Sequence, residues 1–206
     1  MAIRRPTGFR THALSSRAMA RARSVEKQQA ILQSAVREIA GAGLGASTAR
    51  IAKGAGLAEG TIFTYFASKD ELLNELYIAL KTDVYQRIHQ HFPHPAGLYE
   101  RVRHIWTEYL HWALEKPQEQ KVSVLLNLSP MISAGTRERL GDARSAVAKT
   151  MDELGKCGAF KNLPPGFAAS AMSAMQASVL ELASKRPRYS RKLIEPAFAA
   201  FWKMVQ

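Results

Sequence analysis

Gly60, Thr61, Thr64 and Tyr65 fall on one side of a short helical segment, because residues three and four apart stack on one helix face. Thr and Tyr hydroxyls both donate and accept hydrogen bonds, and a glycine among them lets a partner approach closely. Short polar side chains and one Tyr suit phosphate oxygens and the base edges of a major groove. The residues that must hold this face lie around a turn. Ile51 and Ala52 face inward from a preceding helix, Gly56 follows Ala52 by four residues, and Ile62 follows Gly56 by six. The small Ala52 lets two helices cross closely, and Gly56 supplies the positive φ of a tight turn. Ile62, Phe63 and Phe66 are expected to anchor the second helix. The same spacing fits an ordinary helical hairpin. A helix before it, a capping signal after it and a basic segment in front make it a helix-turn-helix expected to bind double-stranded DNA.

Other reactive side chains form no comparable pattern. His89, His91 and His94 are spaced closely enough for imidazoles to share a transition metal, but no nearby Cys or paired carboxylates complete a site. No metal and no cofactor is therefore expected. Cys157 is the single cysteine, which excludes an internal disulfide and an all-cysteine metal centre, and a reducing cytoplasm is the expected location. There is no G-x-S-x-G elbow, no phosphate-binding glycine loop and no zinc-protease motif, so the chain is not expected to be an enzyme.

The elements that must position the reading face follow from periodicity. Residues 1–23 carry Arg4, Arg5, Arg10, Arg17, Arg21 and Arg23 without an acid, and are expected to form a flexible basic arm. Such an Arg-rich, Ser-bearing start also fits a solvated tail or an organelle transit peptide, and it lacks the apolar core of a signal peptide. From Ser24, Ile31, Ala35 and Ile39 recur four apart, with Leu32, Val36 and Ala40 one step behind, until Gly41 and Gly43 stop the helix. Ser47 caps a short second helix, and a third runs over about 59–66. Ser68 and Glu71 form a capping box opening a long fourth helix, whose apolar side is Leu72, Leu73, Leu76, Tyr77, Leu80 and Val84. Beyond Pro93, Pro95 and Gly97, helices are expected over roughly 97–116, 118–133, 136–155, 165–186 and 189–205. The expected fold is all-α. A helix-turn-helix domain over 24–70 joins through the long helix to a helical effector-binding and dimerisation domain over 71–206.

Composition agrees. The chain has 206 residues, 47% of them hydrophobic, and a net charge of +12. That content supports a packed core, and the charge favours a polyanionic partner. The excess is strongest in residues 1–66, where ten Lys and Arg face only Glu26, Glu38 and Glu59. No apolar run approaches the roughly 20 residues of a membrane helix, and no helix pairs a basic face with an exposed apolar one, so no membrane partner is expected. An architectural protein that binds DNA without sequence preference fits the same charge pattern. A specificity ratio against random DNA separates the two.

Residues 28–73, QQAILQSAVREIAGAGLGASTARIAKGAGLAEGTIFTYFASKDELL, resemble the N-terminal domain of the TetR/AcrR regulators. The shared elements are an apolar helix, a Thr before Ile-Ala, a Gly turn, Gly-Thr followed by an apolar residue and an aromatic, and Ser-Lys with acids before a Leu pair. The resemblance implies that Thr48 touches a phosphate at the start of its helix, that Gly60, Thr61, Thr64 and Tyr65 read DNA, and that Lys69 meets a phosphate. Two positions depart from the pattern. Phe63 stands where a Tyr hydroxyl commonly meets phosphate, and Ala58 stands where a capping residue is usual, a loss of roughly 1 kcal/mol of helix stability.

The resemblance further implies a homodimer bound to operator DNA, a repressor released by a small-molecule effector. The dimer is expected to form through the last two helices, which carry Phe167, Ala168, Ala171, Met172, Ala174, Met175, Val179 and Leu182, then Ile194, Phe198, Phe201 and Val205. For an effector cavity the candidates are Trp106, Tyr109, Leu126, Met131, Met172 and Met175, with Ile105, Leu110 and Trp112 beside them. Each of these also fits a plain core position. No charge pattern in the sequence selects an anionic or a cationic effector.

Overall fold

The computed structural model describes residues 10–189 and 191–206, apart from the side chains of residues 10–22, 142, 143 and 187. Among the described residues the regular structure is entirely helical. The chain divides between Leu72 and Leu73 into two compact units.

The first unit contains α1 (Arg10–Ala42), α2 (Thr48–Gly54), α3 (Glu59–Ile62) and the opening turn of α4 (Lys69–His89). Residues 10–23, expected as a flexible arm, instead continue α1 toward its N-terminus. The stretch from Thr11 to Ser24 has no Gly or Pro and is rich in Ala and Arg, so helix propensity prevails over the arm expected from charge. Residues 1–9 of that arm lie outside the described residues. Ile31, Ala35, Ile39, Ile51, Ala52, Ile62, Phe66 and Leu72 are at most 1% exposed and form the core of this unit. Gly43 (φ 73°) and Gly56 (φ 70°) occupy the left-handed region where a side chain is strained, and they end α1 and α2. The Ser47 hydroxyl accepts from the Arg50 amide, capping α2. At α4 the Ser68 hydroxyl accepts from the Glu71 amide at 3.1 Å. Glu71 returns a carboxylate oxygen to the amide of Ala67, one residue earlier than a standard capping box.

The second unit contains the rest of α4 with α5 (Leu98–Glu115), α6 (Pro117–Asn127), α7 (Ala134–Glu138), α8 (Gly141–Leu154), α9 (Phe167–Lys185) and α10 (Ile194–Trp202). Three boundaries differ from the sequence expectation. α6 stops at Asn127 because Pro130 disfavours helical backbone at Ser129. The segment expected as one helix over 136–155 is two, α7 and α8. α10 begins only at Ile194, which puts Pro196 in its first turn, where a missing N–H costs no intrahelical bond. The core gathers around α5. Val102, Trp106 and Leu110 are fully buried among Leu154, Met172, Val179, Phe198 and Phe201. The Trp106 indole donates to the Ile194 carbonyl at 2.9 Å, so its polar atom is satisfied inside the core. At the edge, Trp112 Nε1 and Lys116 Nζ both donate to Asp83, at 2.6 and 2.7 Å. These two donors hold the Asp83 carboxyl below its usual range, against the upward push of burial.

Candidate nucleic-acid interface and ligand cavity

In the first unit, α3 is one turn long. Its N-cap, Ala58, has extended backbone and no capping oxygen. The chain leaves the α-helical path after Ile62 through tight bonds from Thr64 N to Thr61 O (3.1 Å) and Tyr65 N to Ile62 O (2.9 Å). This is shorter than the helix expected to reach residue 66, as a missing cap and a lack of strong helix formers dictate. Ile62 and Phe66 are buried, and the other side of the segment carries Gly60, Thr61, Thr64 and Tyr65, with Gly60 and Thr64 exposed and Thr61 and Tyr65 half-buried. Phe63, expected to anchor the helix, is instead 48% exposed. Because α3 ends at Ile62, the next residue turns outward, and its ring joins the exposed side.

Three hydroxyl and ammonium groups already have internal partners. Thr48, the first residue of α2, donates to Glu59 at 2.7 Å. Thr64 donates to the Thr61 carbonyl at 2.7 Å, and Lys69 Nζ donates to the Leu44 carbonyl at 2.8 Å. Thr48 is half-buried beside the exposed carboxylate of Glu59, the one acid in α3. Arg50 is paired with Glu38 at 2.8 Å, whereas Lys53 is exposed.

The second unit holds a cavity of about 400 Å³ that is partly open to solvent. Val84, Ile88, Ile105 and Met172 supply apolar wall, and Tyr109, Ser123, Asn127 and Gln176 supply neutral polar groups. Of the six residues expected at an effector cavity, Tyr109 and Met172 line it. Trp106 and Leu126 are fully buried, and Trp106 spends its indole N–H on Ile194. Met131 offers its carbonyl to Asn74, and Met175 packs on the core. Burial raises the Tyr85 and Tyr109 hydroxyls above their ordinary range, so both stay neutral donors at physiological pH. Lys81 also lines this cavity. In the sequence it sits in an ordinary helical Leu-Lys-Thr-Asp stretch and reads as a solvated charge. Only the packing of the unit reveals it. A broader groove of about 740 Å³ lies on the same unit, lined by Leu114, Val124, Ala177 and Leu180 among others.

The histidines at 89, 91 and 94 do not converge on a metal. Among the described residues no three His, Cys, Asp or Glu side chains could hold one. His91 and His94 are exposed, and the His94 ring packs against Phe92. No helix among the described residues is long and apolar enough to cross a membrane.

A glycine-turned helix pair with a buried core presents a hydroxyl-bearing outer face, on a chain whose second unit is a helical bundle with a partly open cavity, and this defines a helix-turn-helix regulator. Residues 31–76 match the model of the bacterial regulatory proteins of the tetR family. A tetR-family transcription regulator from Shewanella sp. PV-4 is 25% identical, with 86% of this chain and 96% of that one aligned at a TM-score of 0.74. One from Marinobacter aquaeolei VT8 is 24% identical, covering 90% and 98%, at a TM-score of 0.77. LfrR of Mycobacterium smegmatis, solved in complex with proflavine, shares the fold at 16% identity and a TM-score of 0.63, covering 88% and 98%. Residues 31–76 thus match the DNA-binding domain of the tetR family, and the chain as a whole shares the fold of TetR-family transcription regulators.

Proposed function

We propose that the chain is a homodimeric, sequence-specific repressor that leaves its operator when a small molecule fills the cavity of the second unit. The observation that carries this reading is the exposed side of α3 and the turn after it. Gly60, Thr61, Thr64 and Tyr65 stand on it, held by buried Ile62 and Phe66, inside the segment that matches the family model. In this reading Thr61, Thr64 and Tyr65 contact base edges and phosphates in the major groove. Thr48 and Lys69 meet phosphate on either side. The Lys69 ammonium retains two donors beyond the one given to Leu44.

Dimerisation through α9 and α10 is supported by what those helices leave uncovered. Ala168, Met172, Val179, Ile194, Phe198, Phe201 and Val205 are spent on the internal core. Phe167 (46% exposed), Ala174, Ala177, Ser178 and Leu182 (49% exposed) remain on α9, and the small ones among them allow close helix approach. A two-fold dimer places two reading segments about 34 Å apart, in successive major grooves of a palindromic site. Effector binding beside α4 shifts that helix, which both units share, and so changes the spacing of the reading segments. The shift requires an effector that prefers the released state. The protein acts in the cytoplasm, where its DNA is.

Titration of the preferred duplex with wild type and with the Thr61→Ala and Tyr65→Ala variants tests the reading. Both variants should bind at least tenfold more weakly while sedimenting as intact dimers. Wild-type affinity in both would mean that DNA is read elsewhere on the chain.

A further inference from the structure

We infer that the cavity of the second unit takes an amphipathic carboxylate, whose acid group sits on Lys81 and whose apolar body runs along α4 toward Ile88. This rests on the effector-cavity reading above and adds the chemical class of the ligand.

The first observation is a charge without a counter-charge. Among the described residues the lining of the cavity contains one cation, Lys81, and no acid. The ammonium lies 5.5 Å from the centre of the Tyr77 ring, and the Arg137 guanidinium lies 5.4 Å from that same ring. Arg137 donates to the Tyr77 hydroxyl and to the Asn127 carbonyl, and the Tyr77 hydroxyl donates to the Asn127 side chain. Among the described residues no carboxylate pairs with Lys81 or Arg137. Arg144, a third cation, acts on Tyr85 at the same cavity. Burial, and secondarily Arg137, lowers the Lys81 pKa to about 8. At neutral pH the ammonium is therefore still charged and half-buried, with no anion paired to it among the described residues. A buried cation is costly unless paired, so an anionic ligand gains what the protein does not supply.

The second observation is polarity along one axis. Lys81, Val84, Tyr85 and Ile88 line the cavity from successive turns of α4. Seven residues of helix separate Lys81 from Ile88, about 10 Å at 1.5 Å per residue. The cationic end is bordered by Asn127, which accepts from Tyr77, and the far wall by Ile88 and Ile105. The volume equals that of about a dozen waters at roughly 30 Å³ each. A dianionic phosphate ester with a sugar would leave this apolar wall unmatched. A monocarboxylate with an alkyl or aromatic body matches both ends.

The test uses the full chain and isothermal titration calorimetry with octanoate, decanoate and naphthalene-2-carboxylate, each beside its matched alcohol and amine. At least one carboxylate should bind wild type tenfold or more tighter than its alcohol and amine. Lys81→Met should lose that preference while still binding the alcohol as wild type does, and Lys81→Arg should keep it. Preference for an alcohol or amine in every series, or an unchanged carboxylate preference in Lys81→Met, would overturn the inference and leave the effector cavity standing. Binding of none of the compounds would remove both. A thermal melt of each variant separates lost binding from lost folding.

Discussion

Thr48, the first residue of α2, and Glu59, the first residue of α3, are joined by a hydrogen bond of 2.7 Å. One atom thus serves two demands. The Thr48 hydroxyl ties the two helices of the turn together, and it is also the group proposed to meet a phosphate. The partner carboxylate stabilises the start of α3, which has no capping side chain, yet carries negative charge toward the proposed DNA face. Glu59→Gln keeps an acceptor and removes the charge. It should tighten DNA binding by about three- to fivefold at low salt, up to ~1 kcal/mol, and less as salt rises. Fluorescence anisotropy at two salt concentrations reads this. Weaker binding in the variant would mean that the hydrogen bond, not the charge, dominates.

Ser34 and Gly54 meet inside the first unit. Ser34 is fully buried and its hydroxyl has no partner among the described residues, while a Cβ built on Gly54 would lie 2.3 Å from that oxygen and 3.5 Å from the Ser34 Cβ. Gly54→Ala should therefore destabilise by about 1–3 kcal/mol. Ser34→Ala should be neutral or stabilising, because it deletes an unsatisfied buried hydroxyl. The double variant should recover most of the loss, since only the oxygen is in the way. Chemical denaturation of the four proteins measures the coupling, and additive effects would contradict this packing.

Lys81 makes stability depend on alkaline pH. Its pKa falls from the ordinary 10.5 to about 8 on folding, so between those values the unfolded chain binds the extra proton. Stability then rises with pH across that window, and the burden of the charge, about 3 kcal/mol, is fully present below pH 8. Lys81→Met should be more stable than wild type at pH 7, and the difference should shrink toward pH 10.5. Comparing the two proteins cancels the other titrating groups. A constant difference would show that Lys81 is well solvated.

Gly158 marks the tightest backbone approach in the second unit. Its φ is 47°, and a Cβ would lie 1.9 Å from the Val205 carbonyl oxygen and 2.4 Å from its carbon. The obstacle is backbone, so it cannot rotate away. Gly158→Ala should cost more than about 2 kcal/mol in a denaturant titration. Wild-type stability would mean that the C-terminal segment detaches from this turn at little cost.

Local chemistry is what the sequence made legible. Gly56, Ser47 and Ser68 announce their turn and caps because the conformations they adopt depend on the residue itself. The apolar side of α4, from Leu72 to Val84, is buried as its spacing demands. Phe63 is exposed rather than core because α3 ends at Ile62, four residues short of the helix that periodicity predicts, and the first residue past that end already leaves the buried face. The α7–α8 break has no Pro and only Gly141 beside it, so no local signal separates the two helices. Trp106 and Tyr109 lie three residues apart with similar composition around them, yet one is core and the other lines the cavity. Lys81 was least legible of all. Its position depends on Tyr77, Asn127 and Arg137, and Asn127 and Arg137 are distant in sequence.

In the proposed function the exposed side of α3 reads a particular DNA sequence. This is tested most directly by selecting bound duplexes from a random pool with the purified protein and titrating the winner at two salt concentrations. One short two-fold symmetric site should emerge, bound at least a thousandfold tighter than random DNA. With about four phosphate contacts per subunit, log affinity should fall against log salt with a slope near −7. Steep salt dependence with no enriched sequence would mean a DNA-binding protein that does not discriminate among sites.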